Sequence, residues 1–297
     1  MMDEIFNTDR PLLFSIAYRM LGSASDAEDV LQDAWLRYQG ADRSAIRSPK
    51  AFATTIVTRL CLDRLKSSRT KREEYLGPWL PEPILTSEAD DPAESLQRAE
   101  SLTLAFLVLL ETMSPEERAV FLLKEVFEYE HAEIAGMLDT TADNSRQLLH
   151  RAKERLKARR PRLSGTAESR RDVAARFARA FSSGDGSELA SLLAADVGMW
   201  SDGGGKASAS RRPLAGRDEV LNLLLGLHRT AASAGLLKDI LLTIEEVNAE
   251  PALILRVGGR IESIFVFSVN GALIEGIRVV RNPDKLAHIN QRLTTVH

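Results

Sequence analysis

The chain has 297 residues, 44% of them hydrophobic and 27% charged, with a formal net charge of -3. This composition excludes collagen-like and compositionally disordered classes, and the longest apolar run, near Leu102–Leu110, falls far short of the ~20 residues of a membrane span. A start carrying Asp3 and Glu4 shows no secretory pattern, and the single cysteine, Cys61, allows no internal disulfide, so a cytoplasmic protein without membrane attachment is expected.

The first seventy or so residues read as helices. Pro11 is followed by Leu12, Leu13, Ile16, Ala17, Met20 and Leu21 at helical spacing, and Gly22 closes the segment. Ser25 with Glu28 reads as a capping box, opening a helix whose apolar face carries Ala27, Val30, Leu31, Ala34, Trp35 and Tyr38. Ser48-Pro49 starts a third helix through Phe52, Ile56, Val57, Leu60, Cys61 and Leu65. Pro78, Pro81, Pro83 and Pro92 then rule out regular helix, so this is a linker. Trp79, Leu80, Ile84 and Leu85 within it are costly to leave in water, so part of it is expected to dock on a domain.

Helices resume near Glu94. Ser114-Pro115-Glu116-Glu117 is a capped start for a helix running towards Phe127. A short helix at His131–Leu138, a turn at Asp139-Thr140-Thr141 and a long basic helix from Ala142 to about Arg160 follow. Beyond Ser164 two helices, Ala167–Phe181 and Gly186–Ala194, precede strands at Ile240–Val247, Ala252–Val257, Ile261–Val269 and Ala272–Val280. Asn270-Gly271 is a hairpin signal, and a last helix follows Pro283. Helices first and an antiparallel sheet after them predict an α+β domain.

Charge is segregated along the chain. Arg64, Lys66, Arg69, Lys71 and Arg72 form one basic cluster, and eight basic residues from Arg146 to Arg162 form another. Acidic residues from Glu82 to Glu94 separate the two, an arrangement suited to two contacts on one polyanion. His131–Arg155 reads as a helix-turn-helix. Ile134, Ala135 and Leu138 face inwards on its first helix, and Leu148, Leu149, Ala152 and Leu156 on its second. The opposite face of the second helix shows Arg146, Gln147, His150, Arg151 and Lys153. Such a helix enters the major groove, where arginine reads guanine and glutamine reads adenine. Alone, the acidic helix Asp26–Arg37 and the basic helix Arg59–Lys66 are no more than solvated faces.

Taken in order, these segments resemble the extracytoplasmic-function sigma factors of bacterial RNA polymerase. The acidic helix with Asp29-Val30-Leu31-Gln32, the basic helix with Asp63, the linker and the helix-turn-helix carry the resemblance. Trp79-Leu80-Pro81-Glu82-Pro83, Asp202-Gly203-Gly204-Gly205-Lys206 and Asn282-Pro283-Asp284-Lys285-Leu286 are similar to signatures of the subgroup with a fused SnoaL-like, or NTF2-like, domain. The resemblance implies a multidomain protein: an all-α sigma region 2 at 1–75, a linker at 76–93, an all-α helix-turn-helix sigma region 4 at 94–162, and an α+β SnoaL-like cone at 166–297.

It also implies partners and site residues. Asp26, Glu28, Asp29, Gln32 and Asp33 would bind RNA polymerase core, whose β′ coiled coil and β subunit are the expected partners. Arg59, Arg64, Lys66 and Arg69 would hold promoter DNA at the minus-ten element. Arg59 stands where the commoner group pattern has asparagine, so the resemblance does not carry over a minus-ten base preference. Arg146, Gln147, His150, Arg151 and Lys153 would read the minus-thirty-five element. An intramolecular contact between Trp79, Leu80 and Pro81 and the motifs Asp202–Lys206 and Asn282–Lys285 would hold the DNA-binding domains in one arrangement and set activity.

Two other readings compete: a ligand-sensing helix-turn-helix regulator that never touches polymerase, and a SnoaL-type enzyme with a DNA-binding appendage. For the enzyme, Asp202, His228 and Glu275 are the acid–base side chains available. Asp202–Lys206 lacks the serine or threonine of a phosphate-binding loop and reads as a flexible docking loop. Cys61, Trp35 and Phe52 read as core and Trp200 as a lining of the cone. No cofactor is expected, nor any metal, since no cysteine–histidine group has zinc spacing.

Overall fold

The structure is a computed structural model and describes residues 2–42, 44, 46–86, 96–157 and 164–294. The chain forms two compact units, one of residues 1–74 with 106–160 and the other of 75–105 with 161–297. Helices of both modules fall in the first unit. The described part of the linker, residues 76–86, falls in the second unit.

In the first unit α1 (Met2–Leu21), α2 (Ala24–Gln39) and α3 (Pro49–Glu73) pack on one another. Their shared core includes Leu13, Ile16 and Met20 of α1, Val30 and Leu31 of α2, and Val57 and Cys61 of α3. Helix α1 begins before Pro11 and runs through it. Gly22, at φ +66°, stops α1, and Ser23 turns to extended backbone as the cap of α2. Its hydroxyl accepts from the Asp26 N–H at 3.1 Å, so the cap is Ser23 and not Ser25. Past the linker come α4 (Leu96–Leu102), which belongs with the second unit, α5 (Leu104–Leu110) and α6 (Pro115–Phe121). Ser114 and Glu117 form the expected capping box. The chain continues as a π-helical turn over Leu122–Val126, where α-helix to Phe127 was expected.

Helix α7 (His131–Leu138) turns at Asp139, in left-handed backbone at φ +54°, into α8 (Ala142–Leu156), capped by Thr141. The expected extension of α8 to Arg160 lies outside the described residues. Arg118 of α6, almost fully buried, joins the two modules. Its guanidinium donates to the Met20 carbonyl of α1 at 2.6 Å, to the Leu110 carbonyl at 3.1 Å and to Glu111 at 2.9 Å. Three acceptors compensate a cation that burial pushes towards its neutral form.

The second unit is a six-stranded sheet in the order β2-β1-β6-β5-β4-β3, with α9 (Ala167–Ser183) and α11 (Arg217–Ser233) packed on one face. Helices α9 and α10 (Gly186–Leu192) lead into β1 (Leu193–Asp202) and β2 (Leu214–Ala215); α11 follows. Strands β3 (Ile240–Val247), β4 (Glu250–Val257), β5 (Arg260–Asn270) and β6 (Leu273–Val280) form a meander, and α12 (Pro283–Thr294) ends the described chain. The sheet is mixed and not wholly antiparallel, because β1 pairs β6 in parallel. Hairpins force antiparallel neighbours, whereas β1 and β6 are joined through the rest of the domain. Phe177 and Phe181 of α9 and Leu224 of α11 meet Phe265 and Phe267 of β5 in the core, with the Phe177 and Phe267 rings 4.7 Å apart.

Arg118→Met removes three charge-assisted hydrogen bonds and strands buried acceptors. It is expected to destabilise the helical unit by about 3 kcal/mol or more, measured by urea unfolding; Arg118→Lys, which keeps the charge, is expected to lose less.

Candidate functional site: basic helices, acidic face and linker seat

Helix α8 separates its two faces cleanly. Ser145, Leu149, Ala152 and Leu156 are buried, whereas Arg146, Gln147, His150, Arg151 and Lys153 are exposed. The burial stripe at i, i+4 and i+7 fixes that orientation. Arg146 pairs with Asp143 one turn back, and Lys153 meets Glu125 at 2.9 Å. Arg151 has no acidic partner among the described residues.

On α2, Asp29, Gln32 and Asp33 are exposed, and Asp26 and Glu28 are half-buried. Leu36 is 59% exposed on the same face, one turn beyond Gln32 and Asp33. Sequence reading passed over it; the available signal was an apolar residue outside the buried stripe. Helix α3 supplies Arg64, which meets Asp26 at 3.1 Å and Asp29 at 3.0 Å, and Lys66, which meets Glu116 at 2.9 Å. Arg59 donates to the carbonyls of Met137 at 2.8 Å and Gly136 at 3.2 Å, at the C-terminal end of α7. A cation is favoured where a helix leaves carbonyls unpaired. The side chain of Arg69 lies outside the described residues.

In the second unit, the three short motifs converge on Asp202, which is fully buried at the end of β1. Its Oδ1 accepts from the Tyr75 hydroxyl at 2.5 Å and the Gly204 N–H at 3.1 Å. Its Oδ2 accepts from the Leu80 N–H and from Lys285 Nζ, both at 2.8 Å. The Asp202 carbonyl accepts the N–H groups of Arg281 and Asn282. Lys285 also donates to the Leu80 carbonyl, and its ammonium lies 4.2 Å from the Trp79 ring and 4.9 Å from the Tyr75 ring. Burial and the neighbouring carboxylate raise the Tyr75 pKa, so the phenol remains a donor.

The glycines of this loop are sterically required. A Cβ on Gly203 would stand 2.2 Å from the Ala207 carbonyl oxygen; one on Gly204, at φ +57°, would stand 2.2 Å from Asn282 Nδ2. Where a flexible loop was expected, the turn is closed by bonds from the Lys206 and Ala207 N–H groups to the Gly203 carbonyl. Lys206 and Asp284 pair on the surface, and Pro283 is exposed. Leu80, Pro81 and Pro83 are buried. The linker then runs along the β3–β4 turn, where Ile84 and Asn248 exchange two hydrogen bonds, each 3.0 Å. Buried Glu250 accepts from Leu104 N–H at 3.1 Å and Ser268 Oγ at 2.8 Å, and burial raises its pKa. Tyr75, Asn248 and Glu250 were not anticipated from sequence.

Asp202, His228 and Glu275 do not form a joint acid–base site. Asp202 is engaged as above, Glu275 is exposed and bonded to Asn270, and His228 borders a cavity between the sheet and α11. Met199 and Ser201 line that cavity, so Trp200, between them on β1, points to the other face of the sheet and does not line the cone. The Arg278 guanidinium lies over the Trp200 ring at 4.9 Å.

Residues 5–71 match the Sigma-70 region 2 family and residues 103–156 the Sigma-70 region 4 family. The ECF RNA polymerase sigma factor SigJ of Mycobacterium tuberculosis is 39% identical over 75% of this chain and 72% of its own length. The chain belongs to the extracytoplasmic-function (ECF) sigma factors. The probable ECF sigma factor SigI of M. tuberculosis is 29% identical over 96% of this chain and 94% of its own. The crystal structure of M. tuberculosis SigJ superposes with a TM-score of 0.76 at 33% identity, covering 97% of this chain and 98% of that one. A sigma factor works with RNA polymerase core to direct promoter-specific initiation, and sigma factors are not enzymes; a regulator acting without polymerase is not favoured. Among the described residues no helix is long and apolar enough to cross a membrane.

Lys285→Met removes the cation from Asp202 and Leu80. Charged hydrogen bonds of about 1.5–3 kcal/mol each are then lost, and chymotryptic cleavage at Trp79 in the intact chain is expected to accelerate roughly tenfold or more.

Proposed function

We propose that the exposed face of α8 reads the minus-thirty-five element, with Arg146, Gln147, His150 and Arg151 at base edges and Lys153 on phosphate. The observation that carries this is the outward array of donors above a buried apolar stripe on the second helix of a helix-turn-helix. Helix α3 holds the minus-ten region through Arg59, Arg64, Lys66 and Arg69. The exposed part of α2, Asp29, Gln32 and Asp33 with Leu36 beside them, seats on the β′ coiled coil, flanked by Asp26 and Glu28, and the β subunit completes the contact with core. The cytoplasm is the setting for this work.

The linker contact regulates the factor. Residues 75–105 connect the two helical modules in the chain, and Asp202, Lys285 and Asn248 hold that connection on the C-terminal body. A held linker limits how far the modules can separate; a released one is a long tether. Arg59 adds a second restraint, because its guanidinium is occupied by the α7 carbonyls and must leave them to reach DNA.

Run-off transcription with purified core polymerase on the DNA upstream of this protein's gene tests both parts. Arg151→Ala is expected to weaken promoter binding by about 10- to 100-fold, as for loss of one bidentate base contact. Asp29→Ala combined with Gln32→Ala is expected to abolish retention on core without affecting the fold. Trp79→Ala is expected to change transcript yield with core retention intact; an unchanged yield rejects the regulatory role of the linker.

A further inference from the structure

We propose that the cone of the C-terminal domain binds a small apolar molecule with an acidic head, and that Arg281 receives the head. The cavity between the sheet and α11 measures about 710 Å³. Protein interiors are close-packed, so a space of this size is no packing defect; ligand pockets span roughly 300–1,000 Å³. Met199, Leu223, Leu255, Phe265 and Val279 make its walls apolar. At its edge Leu227, Leu237 and Val257 remain 38%, 40% and 37% exposed. An apolar rim around an apolar chamber favours entry of a hydrocarbon or aromatic body over water.

The polar side of the chamber selects the head group. Arg281 follows β6, and its Nε donates to Ser263 Oγ at 3.1 Å and its Nη1 to the Ser208 carbonyl. Its remaining Nη2 has no partner among the described residues, and no carboxylate pairs with the guanidinium. Two anchored nitrogens thus hold a cationic fork in a set direction, the geometry that receives a carboxylate. Glu262 also borders the chamber but is exposed, so water already solvates it. His228, packed against Gly184, presents ring nitrogens with no hydrogen bond among the described residues and supplies a second polar contact.

The site adjoins the linker seat through the backbone. The Arg281 N–H donates to the Asp202 carbonyl at 2.8 Å, and the Asn282 side chain donates to Tyr75 at 2.9 Å. A head group drawing on Arg281 therefore acts one residue away from the groups that hold the linker. This regulatory use rests on the proposed role of the linker; the site itself does not.

Titration of the full chain with 1-anilinonaphthalene-8-sulfonate, an apolar aromatic with an anionic head, tests the site directly. Saturable binding at one site per chain is expected. Leu255→Trp, which fills the chamber, is expected to abolish it, and Arg281→Gln to weaken it at least tenfold, in variants with unchanged circular dichroism. Arg281→Lys, which keeps the charge without the fork, is expected to lie between. Decanoate is expected to displace the dye and decylamine to leave it bound. Binding that survives Leu255→Trp, or that decylamine displaces as well as decanoate, overturns the proposal, as does an affinity unchanged in Arg281→Gln. Decanoate is further expected to alter chymotryptic cleavage at Trp79; displacement of the dye with no change in cleavage retains the site and rejects its coupling to the linker.

Discussion

The second unit depends on an ion pair closed off from water. Asp202 and Lys285 are both buried, and a carboxylate in such surroundings costs several kcal/mol unless its lone pairs are occupied. Here each oxygen has two donors, and two of the four come from the linker: the phenol of Tyr75 and the backbone N–H of Leu80. The linker therefore completes the solvation of a charge that the domain carries in any case. Removing it leaves unsatisfied acceptors on one side and the bare Trp79 and Leu80 side chains on the other. Both losses act in the same direction, which is why a segment rich in proline and without regular structure is held firmly.

The helical unit uses arginine differently. Arg118 and Arg59 bind backbone carbonyls, groups present whatever the local side chains, so these contacts depend on where helices end. Arg118 is buried and acts as a permanent tie between the modules. Arg59 is exposed, and water can take over its bonds at little cost. One arginine type thus supplies both a fixed joint and an exchangeable latch, and burial decides which.

Much of this was legible from residues alone. The helix-turn-helix was expected at His131–Leu138 and from Ala142, and the structure has both starts there, because Thr141, Asp139 and the leucine stripe are local signals. The meander was legible from alternation and from Asn270-Gly271. Strand β1 was not, since Ala-Ala-Asp-Val-Gly in its first half lacks β-branched alternation, and α11 was not, since Leu221 to Leu227 shows apolar residues on every side. Ser23 lost to Ser25 in the sequence reading because Glu28 completes a capping box with Ser25, whereas the position of Gly22 is what sets the cap. The resemblance brought Trp79, Asp202 and Lys285 under one heading without giving their chemistry. Contacts between residues this far apart in the chain leave no periodic trace, so Tyr75, Asn248 and Glu250 had no signal at all.

The parallel pairing of β1 with β6 has a consequence in time. Asp202 aligns with Val280, so the seat for the linker is assembled from the first long strand of the domain and the turn after its last strand. A chain emerging from the ribosome completes its promoter-reading helices long before that final strand exists. Throughout that interval the Asp202 seat lacks Asn282 and Lys285, and the β3–β4 turn is the earlier of the two places that receive the linker. Anchorage of the segment after α3 therefore comes in two stages, first at Asn248 and last at Lys285.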